Sequence, residues 1–234
     1  YVLMKDNWHS SVNRYMLDED DLNIYELLFR EVVNALNRLN AYEQIYQMNQ
    51  KLYESAVTDQ LTGINNRKGF YQNIEHVSAK IRKGEMEHRF GLMFIDLDNF
   101  KGYNDTFGHD VGDLILKSMA DIFVQVCGAY GEVSRYGGDE FIVFLYTDDR
   151  EKIEELAKEI YVQIEKTDGF KDAITETLGE QITIDENRKI SCSIGIITSH
   201  EVTTEEDINE MVKQADDLMY SVKMSTKGTY RFMA

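Results

Sequence analysis

Apolar and polar positions along the chain fall into a few readable rhythms. Phe90-Gly91-Leu92-Met93-Phe94-Ile95 is apolar without interruption and gives out at Asp96, the pattern of a central strand covered on both faces. Val111, Leu114, Ile115, Ile122, Phe123 and Val126 recur at helical spacing and predict an amphipathic helix over 111–126. Two more apolar runs flank "YGGD" and predict a hairpin. Gly137 and Gly138 supply the positive φ that such a turn uses. A helix is expected across "EKIEELAKEIYVQIEKT" and a core strand in "KISCSIGII". Ile208, Met211, Ala215, Met219 and Val222 then mark a last amphipathic helix, with Thr203 and Glu206 reading as its capping box. It stops near Gly228, before a short strand "TYRFM". Residues 168–188 are polar and irregular, the expectation for a mobile insertion.

The N-terminal quarter has a different rhythm. The chain contains no proline, so nothing interrupts a long helix. One is expected after the acidic run "LDEDDLN", whose charges suit a helix N-terminus. Leu28, Val32, Ala35, Leu39, Tyr42 and Tyr46 then alternate four- and three-residue spacings. That seam has two readings: a helix packed on its own domain, or a parallel coiled coil joining two copies. "VTDQLTGINNRKGFYQNI" ends this helix and begins another, with Thr62, Gly63, Asn65 and Asn66 at the turn. Residues 1–20 are too short for a domain, and "YVLMKDNW" reads as the last strand of one that continues upstream. The order of elements predicts an α+β fold, helices packed on a mostly antiparallel sheet.

Composition narrows the function. Lys+Arg 25 against Asp+Glu 42 gives a net charge of −17, which argues against a nucleic-acid partner or an anionic membrane surface. A polyphosphate ligand would need cations or locally placed lysines. Cys127 and Cys192 are too few for a disulfide framework, so the reducing cytoplasm is the expected location. No stretch approaches the ~20 apolar residues of a membrane span. The first residue is Tyr, so the chain reads as a fragment without direct membrane contact, and attachment through upstream regions stays open.

The candidate chemistry lies in carboxylates at the ends of apolar ribbons. Asp96 and Asp98 stand where a buried strand gives out, and Asp139 stands at a hairpin tip. A strand end beside a hairpin tip in one sheet brings Asp96 and Asp139 within reach of one cation. Mg²⁺ suits such a site, because it takes one or two protein carboxylates and leaves room for phosphate oxygens and water. The ordinary alternative is a pair of solvated loop acids. In the following loop, Lys101 offers a cation for phosphate, and Asn104 with Asp113 offers edges complementary to guanine. Both are also common caps. His109 is either a ligand contact or a turn residue.

Together these residues resemble the GGDEF family of diguanylate cyclases. "RYGGDEF" stands complete at 135–141, and "DQLTGINNR", "DLDNFKGYNDTFGHDVGD", "SIG" and "ADDLMYSVK" are similar to family segments in the same order, over residues 57–234. The resemblance implies a ferredoxin-like fold of the nucleotide-cyclase and polymerase-palm type. It also implies condensation of two GTP into cyclic di-GMP with release of two pyrophosphates. On that reading 57–234 is the catalytic domain, 21–56 a signalling helix, and 1–20 the remnant of a sensory domain. Asp96, the Leu97 carbonyl and Asp139 bind Mg²⁺, with Mn²⁺ a substitute. Asp139, Lys101 and Glu140 are catalytic, and Asp139 accepts the 3′-hydroxyl proton. Asn104 and Asp113 hold guanine with His109 nearby, and Lys223 and Lys227 reach the β and γ phosphates. Two domains, joined as a homodimer through the N-terminal helix, face each other. Two departures matter. Lys227 stands where the family usually has Arg, losing bidentate geometry. The product-inhibition motif would fall on Gly128–Gly131, which reads "GAYG", so no inhibitory site of that kind is expected. A rival reading is a catalytically weak domain acting as a GTP or cyclic di-GMP receptor.

Overall fold

The computed structural model describes residues 19–185, 188–199 and 201–233. The strand expected in "YVLMKDNW", and nearly all of the remnant expected in 1–20, lie outside the described residues. The chain divides into two units between Leu52 and Tyr53.

The division falls inside α1 (Glu19–Val57), a helix of 39 residues and about 58 Å. It starts within the acidic run rather than after it. Val32, Leu39, Tyr42 and Tyr46 on its seam are all more than half exposed. Among the described residues no helix is long and apolar enough to cross a membrane.

The second unit contains β1 (Asn65–Asn66), α2 (Arg67–Arg82), β2 (Phe90–Asp98), α3 (Phe100–Phe107), α4 (His109–Cys127), β3 (Gly131–Gly137), β4 (Glu140–Leu145), α5 (Arg150–Lys166), α6 (Lys171–Leu178), β5 (Ser191–Ser199), α7 (Glu205–Ser225) and β6 (Tyr230–Phe232). The strands form one sheet in the order β1-β3-β4-β2-β5-β6. The three central pairings are antiparallel and the two edge pairings parallel. This is the α+β fold expected from the sequence.

The apolar run in β2 explains the layering. Successive side chains point to opposite faces. Met93, Ile95 and Leu97 enter the core shared with α4 and α5, while Phe90, Leu92 and Phe94 enter the core shared with α2 and α7. The same alternation carries Asp96 and Asp98 to the α7 face. On β5, Gly195 lets α7 come close. A Cβ there would meet the Ala215 carbonyl at 2.0 Å and the Met219 nitrogen at 2.5 Å, so helix and strand touch main chain to main chain.

Four local expectations need correction. The segment after Asp98 is not a loop but the eight-residue α3, entered through Asn99 in a left-handed conformation. The cap of α7 is Thr204 with Asp207, one residue beyond the expected pair. In the segment expected to be irregular, Asp168–Phe170 form a 3-10 turn and Lys171–Leu178 form α6, and Phe170, Ile174 and Ile182 are buried. Gly137 and Gly138 are not at positive φ. The tip is Gly138-Asp139, closed by the Gly137–Glu140 pair with a bulge behind it. A Cβ on Gly137 would meet Glu140 Oε2 at 2.8 Å, whereas one on Gly138 would meet nothing within 4 Å. The glycines therefore provide room rather than a special turn.

Candidate active site

β2 and β4 are paired so that Asp96 stands opposite Glu140. The ladder runs on by one bond, from the Leu97 N–H to the Asp139 carbonyl at 3.1 Å. The hairpin tip is thereby clasped to the end of β2. Lys223, on the last turns of α7, donates to Asp96 Oδ1. Asp96, Leu97, Asp139, Glu140 and Lys223 thus lie together, and the strand end meets the hairpin tip.

Its electrostatics follow from burial. Asp96 is 6% exposed, and its pKa is pushed up to about 6. Loss of water is the largest cause, the Lys223 ammonium pulls the other way, and Asp139 and Asp98 add upward pressure. Glu140 is also raised, first by burial, then by Asp216 of α7 and by Asp139. For Lys223 burial pulls downward, but the Asp96 carboxylate outweighs it and the ammonium form is favoured.

A second arrangement lies on α3 and α4. Asn104 packs over Gly112, where a Cβ would sit 1.9 Å from Asn104 Oδ1. That oxygen is buried and accepts no hydrogen bond among the described residues. A buried acceptor without a donor is costly, so it suits a ligand that brings an N–H. Asp113 follows Gly112 on α4 and is exposed, as are Lys101 on α3, His109 at the start of α4, and Lys227 beyond α7. None of the hydrogen bonds or ion pairs in the Asp96 cluster involves these four among the described residues. A cavity of about 240 Å³ lies on another face of α3, against Thr183, Ile184, Asp185 and Arg188, and none of the predicted site residues lines it.

Sequence reasoning missed a tether. Arg135 donates through Nε and Nη2 to the Gly138 carbonyl, at 3.0 and 2.7 Å. Its Nη1 donates to both oxygens of Asp59, at 3.1 and 3.2 Å. Asp59 also accepts from the Thr62 amide and hydroxyl. The turn that follows α1 is therefore joined to the hairpin tip. Both residues sit inside motifs already quoted, so the signal was their charge.

Among the described residues no group of three or more His, Cys, Asp or Glu is arranged to hold a metal ion. The cluster offers two carboxylates and a neighbouring carbonyl, and Asp96 already accepts a cationic ammonium. That donor set fits a hard cation that completes its shell with phosphate oxygens and water.

The model of the family described as "Diguanylate cyclase, GGDEF domain" matches residues 56–229. The chain belongs to the GGDEF domain family. This GGDEF domain is 32% identical to Diguanylate cyclase DgcP of Escherichia coli strain K12, over 80% of this chain and 50% of that protein. It is 27% identical to a diguanylate cyclase of Vibrio cholerae, over 85% of this chain and 56% of that one. The chain thus spans about half the length of these curated relatives. Among solved structures, the coiled coil and GGDEF domain of DgcB from Caulobacter crescentus, in complex with c-di-GMP, superimposes with a TM-score of 0.65. Identity is 20%, over 88% of this chain and 99% of that one, a likeness of fold.

Proposed function

We propose that this GGDEF domain is a diguanylate cyclase that joins two GTP into cyclic di-GMP. The observation that carries the reading is the clasp of the Asp139 tip to the end of β2. It gathers two carboxylates and a lysine at one end of the sheet, and Asn104, on the helix that follows β2, has an unmet acceptor.

Asn104 and Asp113 hold guanine, with His109 beside it. Lys223 and Lys227 take the β and γ phosphates, and Lys101 balances charge that builds during transfer. Asp96, the Leu97 carbonyl and Asp139 would hold Mg²⁺, or Mn²⁺ in its place. When bound, the ion supplies positive charge to the phosphate oxygens in the transition state. Each 3′-oxygen bonds to the α-phosphorus of the other GTP as the bond to pyrophosphate breaks. The hydroxyl proton passes to a carboxylate, which we assign to Asp139, with Glu140 beside it.

One GTP per domain means that two domains must face each other. The exposed seam of α1 supports pairing with a second copy, which raises local concentration and sets orientation. GTP places the reaction in the cytoplasm. In this assignment residues 57–234 form the catalytic domain and 21–56 the signalling helix.

The test is incubation of the purified protein with GTP and Mg²⁺, with the product identified by mass. Cyclic di-GMP is expected. Nucleotide that binds but returns unchanged would establish the rival reading, a receptor without catalysis.

A further inference from the structure

Asp98 ends β2 with no exposed surface, and the chemistry above gives it no task. It lies on the α7 face beside Asp96. Its Oδ1 accepts from Ser193 Oγ at 3.0 Å. Its Oδ2 accepts from Ser191 Oγ at 3.0 Å, from Ser193 Oγ at 3.1 Å and from the Gly228 N–H at 2.9 Å. The serines belong to β5. Gly228 belongs to the turn between α7 and β6, directly after Lys227.

That turn has few other anchors. The Thr226 N–H bonds back to Val222 and closes α7, and the Thr229 carbonyl accepts the Ile194 N–H at the start of β6. Between them Lys227 is exposed on a short connection, and the Gly228 amide is the point where the connection meets the core. A carboxylate only accepts, so it can take several donors at once, and an ionised acceptor binds them more strongly than a neutral one. Asp98 therefore ties three segments to one point: the end of the strand that carries Asp96, the start of β5, and the turn that carries Lys227.

We propose that Asp98 is a positioning residue for the triphosphate, fixing the α7–β6 turn so that Lys227 stands beside Lys223 on the phosphate side of the site. The inference rests on the assignment of those two lysines to the β and γ phosphates. A long lysine on a loose turn must be ordered at each binding event, whereas a turn already held in place lowers that cost. Asp98 acts through Lys227 and touches no substrate.

The experiment compares two ligands on the full chain: 3′-deoxy-GTP, which lacks the attacking hydroxyl and does not turn over, and GMP, which lacks the β and γ phosphates. Asp98→Ala should weaken 3′-deoxy-GTP by roughly tenfold and GMP by less than about twofold. Adding Lys227→Ala to Asp98→Ala should cost little more, because both act on one interaction. Equal losses for the two ligands, or additive losses in the double variant, would overturn the proposal and leave Asp98 a staple of the sheet. Should Asp98→Ala fail to fold, Asp98→Val decides. Its β-branched side chain suits a strand and offers the Gly228 N–H no acceptor, and an unchanged preference for 3′-deoxy-GTP over GMP overturns the proposal equally. If the unaltered protein shows no such preference, the lysine assignment itself has failed, and the inference with it.

Discussion

Gly112→Ala separates recognition from stability. Gly112 lies in the first turns of α4 at an ordinary helical φ, so alanine fits the backbone and should favour the helix by about 0.5–1 kcal/mol. Its Cβ would stand 1.9 Å from Asn104 Oδ1 and 2.9 Å from Asn104 Cγ. Both atoms belong to the far end of a side chain with free rotamers, so the amide should give way and not the helix. Moving it costs little, because that oxygen accepts no hydrogen bond where it stands. The melting temperature should therefore hold or rise by about 2 °C. GTP binding should suffer. If Asn104 reads guanine, displacing it forfeits a hydrogen bond of about 0.5–1.5 kcal/mol, roughly a two- to tenfold loss of affinity. Calorimetric titration with 3′-deoxy-GTP, beside a thermal melt, measures both quantities. Unchanged affinity would refute the role given to Asn104. A melting temperature several degrees lower would refute the claim that the side chain yields first.

Asp139→Ala should abolish cyclic di-GMP formation, read by mass, while leaving the circular dichroism melt within a few degrees; full activity would remove Asp139 from the mechanism. Added cyclic di-GMP should not slow turnover with low-micromolar potency, since "GAYG" carries no inhibitory arginine and aspartate; inhibition in a product titration would show the reading of that segment to be wrong. Asp59 gives a pH prediction. Burial raises its pKa, but bonds from Thr62 and Arg135 outweigh this, and the carboxyl lies below its ordinary 3.8. A lowered acid stabilises the fold above its unfolded pKa and stops doing so as pH falls through the folded value. Melts of Asp59→Asn should thus fall below those of the parent near neutral pH, and the gap should close as pH drops below 3.8 and through the lowered folded value; a gap independent of pH would mean that the Arg135 tether carries no charge-dependent stability.

The parts of the fold legible in the sequence were those with strong periodicity. β2 announced itself because nothing polar interrupts it before Asp96, and the strand end and the hairpin tip met as predicted because both belong to one sheet. α3 was hidden, since Phe100, Tyr103 and Phe107 have helical spacing but lie among Lys, Gly, Asn and Asp, which read as loop. The cap of α7 slipped by one because two threonines in a row each have an acid three residues on. The structure settles on Asp207, which accepts from both the Thr203 and Thr204 amides. The turn at Asp168-Gly169-Phe170 uses three successive left-handed residues, two of them not glycine, and no local preference forecasts that. Asp98 was visible as an acid at a strand end. Its donors lie more than ninety positions away in the chain, beyond any pattern a window can see.

The main-chain contact at Gly195 has a practical consequence for anyone altering this domain. Where a helix is held off a strand by bulky groups, each exchange of a leucine for a valine shifts the helix by some fraction of an ångström. α7 is seated on peptide atoms, whose dimensions no substitution elsewhere can change. The lysine it carries therefore inherits a fixed reference height above the sheet. Much of the surrounding apolar interior can be redesigned without disturbing it, while one methyl group at position 195 cannot be accommodated.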